Sequence, residues 1–155
     1  MKTLVIGLGN PILGDDGAGW KAAEAVKSAI RDQLSVEVDC ASLGGLSLME
    51  RMLGYQHVIL VDSMESGQGP EGSVKVLPLI ALTNPTKGHS ASAHDTSLLT
   101  ALQMARSMGA DVPERVDVVA IESKNAIDFS EKLSPKIAAA VPLAARAVLE
   151  LLKKE

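Results

Sequence analysis

Two aspartates and one histidine in this sequence have the residue types and positions that a transition-metal site requires. Asp16 follows a glycine-rich bend, Asp62 ends an aliphatic run, and His94 stands where an irregular stretch meets a helical pattern. Carboxylate oxygens and an imidazole nitrogen form an O/O/N donor set that suits a borderline divalent ion such as nickel, zinc or manganese. Three ligands leave open positions for water or a substrate group, so such a site could support hydrolysis.

Each of these residues also has a structural explanation. Asp62 could cap a turn after its strand, and His94 could be a surface or helix-capping histidine. Asp15 and Asp16 are adjacent, and a carboxylate near a helix N-terminus satisfies free N–H groups there. Capping needs one aspartate of the pair, and we assign it to Asp15. The spacing alone therefore leaves the metal site and the structural explanation both open.

The other nucleophilic and titratable residues fit structural roles better. His57 and His89 are expected to face solvent, with His89 as a reserve ligand, and Cys40 is expected to be a small buried apolar residue. Three serines could be considered for a Ser-His-Asp triad: Ser63, Ser90 and Ser92. None of them lies in a G-x-S-x-G turn, which argues against a serine nucleophile.

The glycine-rich bend does not match a dinucleotide-binding loop. That fingerprint places a third glycine three positions after the second, but Gly7 and Gly9 are followed by Pro11 and Ile12. An acidic pair would also repel a pyrophosphate. The bend is therefore expected to present a carboxylate.

Length and composition predict a single domain that spans residues 1–155. Hydrophobic residues make up 46% and aromatic residues 2%, so the core must be aliphatic. No apolar run approaches the roughly 20 residues of a membrane span, and the start lacks a signal-peptide pattern. The net charge of −4 gives no drive toward nucleic acid or anionic lipid, and one cysteine fits a reducing cytoplasm.

Aliphatic runs and amphipathic patterns alternate along the chain. Strands are predicted at 3–7, 36–40, 58–62, 73–77 and 116–121. Helices are predicted from about 17 and over 46–53, 95–108 and 135–153, and Pro142 predicts a kink or a later start in the last of these. The expected fold is α/β, a three-layer α/β/α sandwich of the phosphorylase/hydrolase-like kind.

The connection before the fourth strand is too short for a parallel crossover. That strand is expected to run antiparallel at or near an edge of a five-stranded, mostly parallel mixed sheet. Ligands in such folds bind beyond the carboxyl ends of the strands, and Asp16, Asp62 and His94 are all expected there.

The order of motifs in this chain resembles that of the hydrogenase maturation proteases. The resembling segments are Gly7–Asn10, Gly14–Gly19, Val58–Asp62, Ser92–Leu98, Leu133–Pro135 and Ala140–Pro142. The resemblance covers nearly the whole chain, and the opening motif is its most specific part. It implies an endopeptidase that removes a short C-terminal extension from the large-subunit precursor of a nickel-iron hydrogenase, cutting after a basic residue once the metal centre is in place.

The resemblance also assigns the site. The metal-contacting and catalytic positions of the family fall on Asp16, Asp62 and His94, and they are thought to recognise nickel that the precursor carries. Zinc or cadmium could replace nickel in crystals. The implied partner is the hydrogenase large-subunit precursor, with no nucleic acid and no membrane. The resemblance also implies that the protein is an aspartyl-type endopeptidase and, through its product, an enzyme activator.

Two segments depart from the family pattern. Many members carry Asp-Gly-Gly after the second strand, where this chain has Cys40-Ala41-Ser42, with glycines at Gly44 and Gly45. Many carry Gly-x-x-Pro after the fifth strand, where this chain has Ala120–Ser123. Both differences concern peptide binding and so the identity of the precursor.

Two other functions remain open from the sequence. A non-catalytic nickel-binding or docking module for hydrogenase assembly would use the same ligands without hydrolysis. Peptidyl-tRNA hydrolases share the Gly-Leu-Gly-Asn-Pro opening, but they need an early histidine and a basic face. This chain is acidic, and its first histidine is His57.

Overall fold

The structure is a computed structural model that describes residues 1–31, 33–83, 93–124 and 128–155, with backbone alone at 83 and 93–97. Five strands form one sheet: β1 (Thr3–Leu8), β2 (Val36–Ala41), β3 (His57–Met64), β4 (Val74–Pro78) and β5 (Arg115–Glu122). Four α-helices accompany them: α1 (Ala18–Ile30), α2 (Gly45–Met52), α3 (Ala93–Ser107) and α4 (Pro135–Lys153). Two 3-10 turns cover Gly14–Gly17 and Leu79–Thr83.

The strand order is β2-β1-β3-β5-β4. The first four strands in that order run parallel, and β4 pairs antiparallel with β5 at the edge. The prediction of an antiparallel fourth strand in a mixed sheet is therefore confirmed. Its reason is the short connection from β3 to β4, which cannot carry the chain back across the sheet.

Helices cover both faces of the sheet, as the α/β/α prediction requires. Side chains alternate along each strand, so Leu4 and Ile6 of β1 face one way and Val5 the other. The first face packs against α2 and α3, and the second packs against α1 and α4. No helix in the described ranges is long and apolar enough to cross a membrane.

Helix α1 lies unusually close to the carboxyl ends of β1 and β3. A Cβ on Gly19 would overlap the carbonyl oxygens of Val61 and Leu8, and one on Gly7 would overlap that of Gly19. Two glycines are thus needed where the helix crosses the strands. This close approach fixes the start of α1, and the loop before it, against the sheet.

Helix α4 begins at Pro135, a favoured first helical position, and continues without a break through Pro142. Of the two outcomes predicted for Pro142, a kink or a later start, the later start is wrong. Pro142 lacks an N–H for the carbonyl of Ala138, a local loss that the helix tolerates because its apolar stripe packs on the sheet.

Candidate functional site

A cavity of about 200 Å³ opens at the carboxyl ends of β1, β2 and β3. Its polar lining consists of Asn10, Asp16, Ser42, Asp62 and Ser63. The structure thus brings together two of the three predicted metal ligands, from segments that follow or belong to different strands. Parallel strands end at the same edge of a sheet, which is why residues so far apart in sequence share this space.

Asp16 is held by the loop that leads out of β1. Its Oδ2 accepts a hydrogen bond of 2.8 Å from the backbone N–H of Asn10, and its own N–H donates to the carbonyl of Leu13 at 3.2 Å. Gly9 has φ +127°, and a Cβ there would overlap the carbonyl oxygen of Asp16. The glycine-rich motif is therefore required by how closely the loop folds back on itself. The backbone bond engages one carboxylate oxygen of Asp16 and orients the side chain beside the cavity.

Asp62 lies within β3, which continues to Met64 rather than ending at the aspartate as predicted. It is paired with Ala120 of β5, and its residue is only 7% exposed. β3 is a central strand, and its pairing with β5 continues through Asp62 to Met64, so the Asp62 backbone is held in the sheet. A nearly buried carboxylate on such a strand is held in a narrow range of positions in the lining of the cavity.

The third predicted ligand cannot be placed beside these two. His94 lies in the first turn of α3, where its backbone alone is described, and His89, Ser90 and Ser92 lie outside the described residues. Within the described part of the chain, no group of three His, Cys, Asp or Glu side chains could hold a metal ion. The assignment of His94 stays a prediction.

Asp15 was predicted to cap the helix that follows it, and this prediction is wrong. Its carboxylate is 9% exposed and accepts hydrogen bonds from the N–H of Ser134 at 2.7 Å and from the hydroxyl of Ser134 at 2.8 Å. Ser134 is the N-cap residue of α4, whereas the Gly14–Gly17 turn and α1 have no side-chain cap. Asp15 therefore ties the motif loop to a helix far along the sequence.

His57, expected in solvent, is instead 1% exposed at the opposite edge of the sheet. Its Nε2 lies 2.8 Å from Oδ2 of Asp117, and its Nδ1 contacts the carboxylate of Glu155. Arg115 Nε lies 2.7 Å from the same oxygen of Asp117, and the Thr3 hydroxyl donates to Glu155. The prediction failed because the partners that make burial possible come from distant segments.

Cys40 is half-buried rather than fully buried, and its Sγ lies 3.8 Å from the Trp20 carbonyl oxygen. Burial raises the pKa of this thiol, and the negative charges of Glu24 and Asp39 raise it further. Because the thiolate is the reactive form, Cys40 is a poor nucleophile at neutral pH.

Helix α2 is tied to β2 just below the cavity. Arg51 contacts Glu37 at 2.7 Å and Asp39 at 3.1 Å. Hydrogen bonds from Tyr55 and Arg51 lower the pKa of the Glu37 carboxyl, so it stays ionised and the contact persists at neutral pH. These contacts hold α2 against β2, and the turn between the two elements contributes Ser42 to the cavity.

Of the cavity residues that were not predicted as site residues, three lie in the loops after β1 and β2: Asn10, Ser42 and Leu43. Each follows the carboxyl end of β1 or β2, and that position alone could have flagged them. The Ser42 hydroxyl donates to the Gly9 carbonyl at 2.6 Å, so its visible role is to join the two loops rather than to react.

Comparisons with known proteins agree with this architecture. The family model described as hydrogenase maturation protease matches residues 20–151, which include Asp62 and His94 and begin just after Asp16. The chain is 26% identical to the hydrogenase expression/formation protein HupD of Rhizobium leguminosarum bv. viciae, over 98% of this chain and 74% of that protein. It is 25% identical to the hydrogenase 2 maturation protease of Escherichia coli K12, over 99% and 92% of the two chains.

The solved structure of the hydrogenase maturating endopeptidase HybD from Escherichia coli shares the fold. Its TM-score is 0.77 at 24% identity, covering 99% of this chain and 93% of that one. The family model spans well over half of the sequence, and the predicted fold is confirmed. This chain belongs to the hydrogenase maturation protease family and is an endopeptidase, as its order of motifs predicted.

Proposed function

We propose that this chain removes the C-terminal extension of a nickel-iron hydrogenase large-subunit precursor after nickel has been inserted. The observation that carries the proposal is the cavity that Asp16 and Asp62 share at the carboxyl ends of the strands. Family membership supplies the reaction class, peptide-bond hydrolysis in hydrogenase maturation. The cavity supplies a place where two carboxylates could meet a metal and a peptide at once.

The volume of the cavity indicates that only a small part of the substrate enters it. At about 200 Å³ it is below the roughly 300–1,000 Å³ typical of pockets that enclose a whole small-molecule ligand. One metal ion and the peptide group next to it would suit this space. The rest of the extension would then lie over the rim of the cavity.

The donor set supports a metal that arrives with the substrate. Two carboxylates are too few for a closed structural site, and His94 would complete the O/O/N set from the start of α3. In this proposal Asp16, Asp62 and His94 contact nickel that the precursor already carries. An incomplete set on the enzyme allows cleavage only when the substrate brings the ion, so processing would follow metal insertion.

The catalytic step needs a water molecule and a proton acceptor. The precursor's nickel would polarise the scissile carbonyl or acidify a bound water. A carboxylate oxygen of Asp16 or Asp62 would accept the proton of the attacking water, and the same group could return it to the leaving amine. The enzyme would then be an aspartyl-type endopeptidase whose product is an activated hydrogenase, and we place it in the cytoplasm.

The test is cleavage of a purified, nickel-loaded precursor, followed by intact-protein mass spectrometry. Wild-type enzyme should release the C-terminal extension, and Asp16→Ala, Asp62→Ala and His94→Ala should each leave the precursor intact. Asp111→Ala is the matched control, because Asp111 is exposed and precedes β5 at the opposite edge of the sheet.

The same measurement judges the alternatives. A precursor that binds the wild-type chain without losing mass would support a docking module instead of an enzyme. A nickel-free precursor that is cleaved as fast as the loaded one would refute the role of nickel while leaving the protease assignment intact. Zinc- or cadmium-loaded precursor would show whether another ion can occupy the site.

A further inference from the structure

We infer that Asp15 is a positioning residue that holds Asp16 at the cavity by joining the motif loop to the N-terminus of α4. The inference rests on the proposed function for its kinetic consequence, although the contacts themselves do not depend on it. Nothing in the sequence pattern assigns Asp15 this role, because its partner, Ser134, is 119 positions away.

Both oxygens of the Asp15 carboxylate are committed to Ser134. Oδ1 accepts the backbone N–H at 2.7 Å, and Oδ2 accepts the hydroxyl at 2.8 Å. A carboxylate used in this two-point way on a nearly buried residue has a fixed orientation. Asp15 is therefore directed away from the reaction, in contrast to the residue that follows it.

Backbone hydrogen bonds join the same two segments. The Gly14 N–H donates to the Ser130 carbonyl at 2.8 Å, and the Ser130 N–H donates to the Ile12 carbonyl at 2.9 Å. Leu13 and Ser130 form an isolated parallel bridge. The motif loop and the segment before α4 thus make a small sheet-like contact, and the Asp15 carboxylate closes it at one end.

The charge of Asp15 suits this position. The N-terminus of the 19-residue helix α4 carries free N–H groups and the positive end of the helix dipole. Ser134 makes no side-chain cap to its own helix, and its hydroxyl donates to Asp15. Asp15 thus supplies from a distant loop the negative group that a capping side chain would provide.

The position of Asp16 depends on this contact because its own side-chain hydrogen bond does not anchor it to the sheet. Its described side-chain bond is to the N–H of Asn10 in the same loop, so a shift of the loop carries donor and acceptor together. Asp62, by comparison, stands on the rigid strand β3. Loosening the Asp15–Ser134 contact would move Asp16 relative to Asp62, and a displacement of about 1 Å can cost about 100-fold in rate.

The first test measures the loop directly and needs no substrate. We compare amide hydrogen exchange in wild type, Asp15→Ala, Asp15→Asn and Ser134→Ala. Exchange of the Asn10 N–H, which is bonded to Asp16, should become at least about tenfold faster in Asp15→Ala and Ser134→Ala, with a smaller rise in Asp15→Asn. Exchange at Val5 inside β1 should stay unchanged.

Thr3→Val is the matched control. It removes a buried hydroxyl that donates to Glu155 at the opposite edge of the sheet. It should lower the melting temperature without changing exchange at Asn10. Unchanged exchange at Asn10 in Asp15→Ala and Ser134→Ala would overturn the inference, as would an equal increase in Thr3→Val.

The second test separates positioning from general stability. With nickel-loaded precursor, well below the melting temperature, Asp15→Ala and Ser134→Ala should lower kcat about 10- to 100-fold and leave KM within about twofold. The double variant should be no slower than Asp15→Ala, because both changes break one contact. Unchanged kcat in both single variants would refute positioning. A wild-type chain that fails to cleave would refute the proposed function alone, while the exchange data would still judge the contact.

Discussion

The sheet uses similar residues in opposite ways at the amino ends of its strands, the amino edge, and at their carboxyl ends, the carboxyl edge. At the amino ends of the strands, the carboxylates of Asp117 and Glu155 enclose His57, with Arg115 and Thr3 as further partners. At the carboxyl ends, the carboxylates of Asp16 and Asp62 border a cavity of about 200 Å³.

The difference lies in what the acidic groups face. At the amino edge each carboxylate meets a cationic or hydroxyl donor, so a buried charge is compensated within the protein. At the carboxyl edge Asp16 is oriented by a backbone N–H and borders space that a ligand could fill. Similar side chains thus stabilise the fold at the amino edge, while at the carboxyl edge they line a space that a ligand could enter.

The largest expected effect comes from replacing one aspartate by asparagine at each edge and comparing the two variants. Asp16→Asn keeps an oxygen for the Asn10 N–H but removes the charge, so cleavage of nickel-loaded precursor should fall about 10²- to 10⁴-fold. Its free energy of unfolding should change by less than about 1 kcal/mol. Asp117→Asn should show the reverse, with lowered stability and intact cleavage. Mass spectrometry measures cleavage, and urea denaturation measures stability. Full activity of Asp16→Asn would contradict the contrast between the two edges.

Removing the histidine at the amino edge should give the largest loss of stability. His57→Ala deletes a ring that is 1% exposed and takes a hydrogen-bond partner from the carboxylates of Asp117 and Glu155, and truncating a large buried side chain typically costs about 3–5 kcal/mol. Urea denaturation should show this as a lower midpoint with an unchanged slope. The variant should still cleave precursor at low temperature. A loss below about 1 kcal/mol would mean that the network is not the stabilising element we describe.

A smaller effect is expected where α1 touches the sheet near the cavity. Gly19→Ala would force a Cβ against the carbonyl oxygens of Val61 and Leu8, so α1 must move outward. Overpacking of this kind costs about 1–3 kcal/mol, and the shift would also displace the loop that carries Asp16. Ala29→Gly, at an exposed position of the same helix and away from this contact, is a control that lowers helix propensity without removing core packing. If Gly19→Ala lowers stability but leaves kcat unchanged, the helix approach does not position the site.

Local patterns predicted the sheet because they depend on neighbouring residues. The aliphatic runs gave all five strands within one or two residues at either end, and the short connection after β3 gave the direction of β4. The position of Asp62 at the end of an aliphatic run, and of Asp16 after the first, placed both at the carboxyl edge. The sheet topology then brings Asp16 and Asp62 together, because the carboxyl ends of parallel strands lie at the same edge of the sheet.

The failed predictions for His57 and Asp15 both involve partners that are distant in sequence. His57 lies 60 positions from Asp117 and 98 from Glu155, and Asp15 lies 119 from Ser134. A lone histidine before a strand, or an aspartate before a helix, has no local sign of such partners. Burial of a polar side chain depends on hydrogen bonds that exist only once the sheet register is set.

The smallest expected effect concerns the thiol near the carboxyl edge. Burial raises the pKa of Cys40, so at pH 8.5 less of it is thiolate in the folded chain than in the unfolded chain. Iodoacetamide should therefore alkylate the folded protein several-fold more slowly than the urea-unfolded protein, and the difference should shrink as the pH rises further. Cys40→Ser should leave cleavage of the precursor unchanged. Fast alkylation at neutral pH, blocked by precursor, would instead place a reactive thiol beside the carboxylates, and the carboxyl edge would then differ from the amino edge by its nucleophile rather than by the cavity that its acids line.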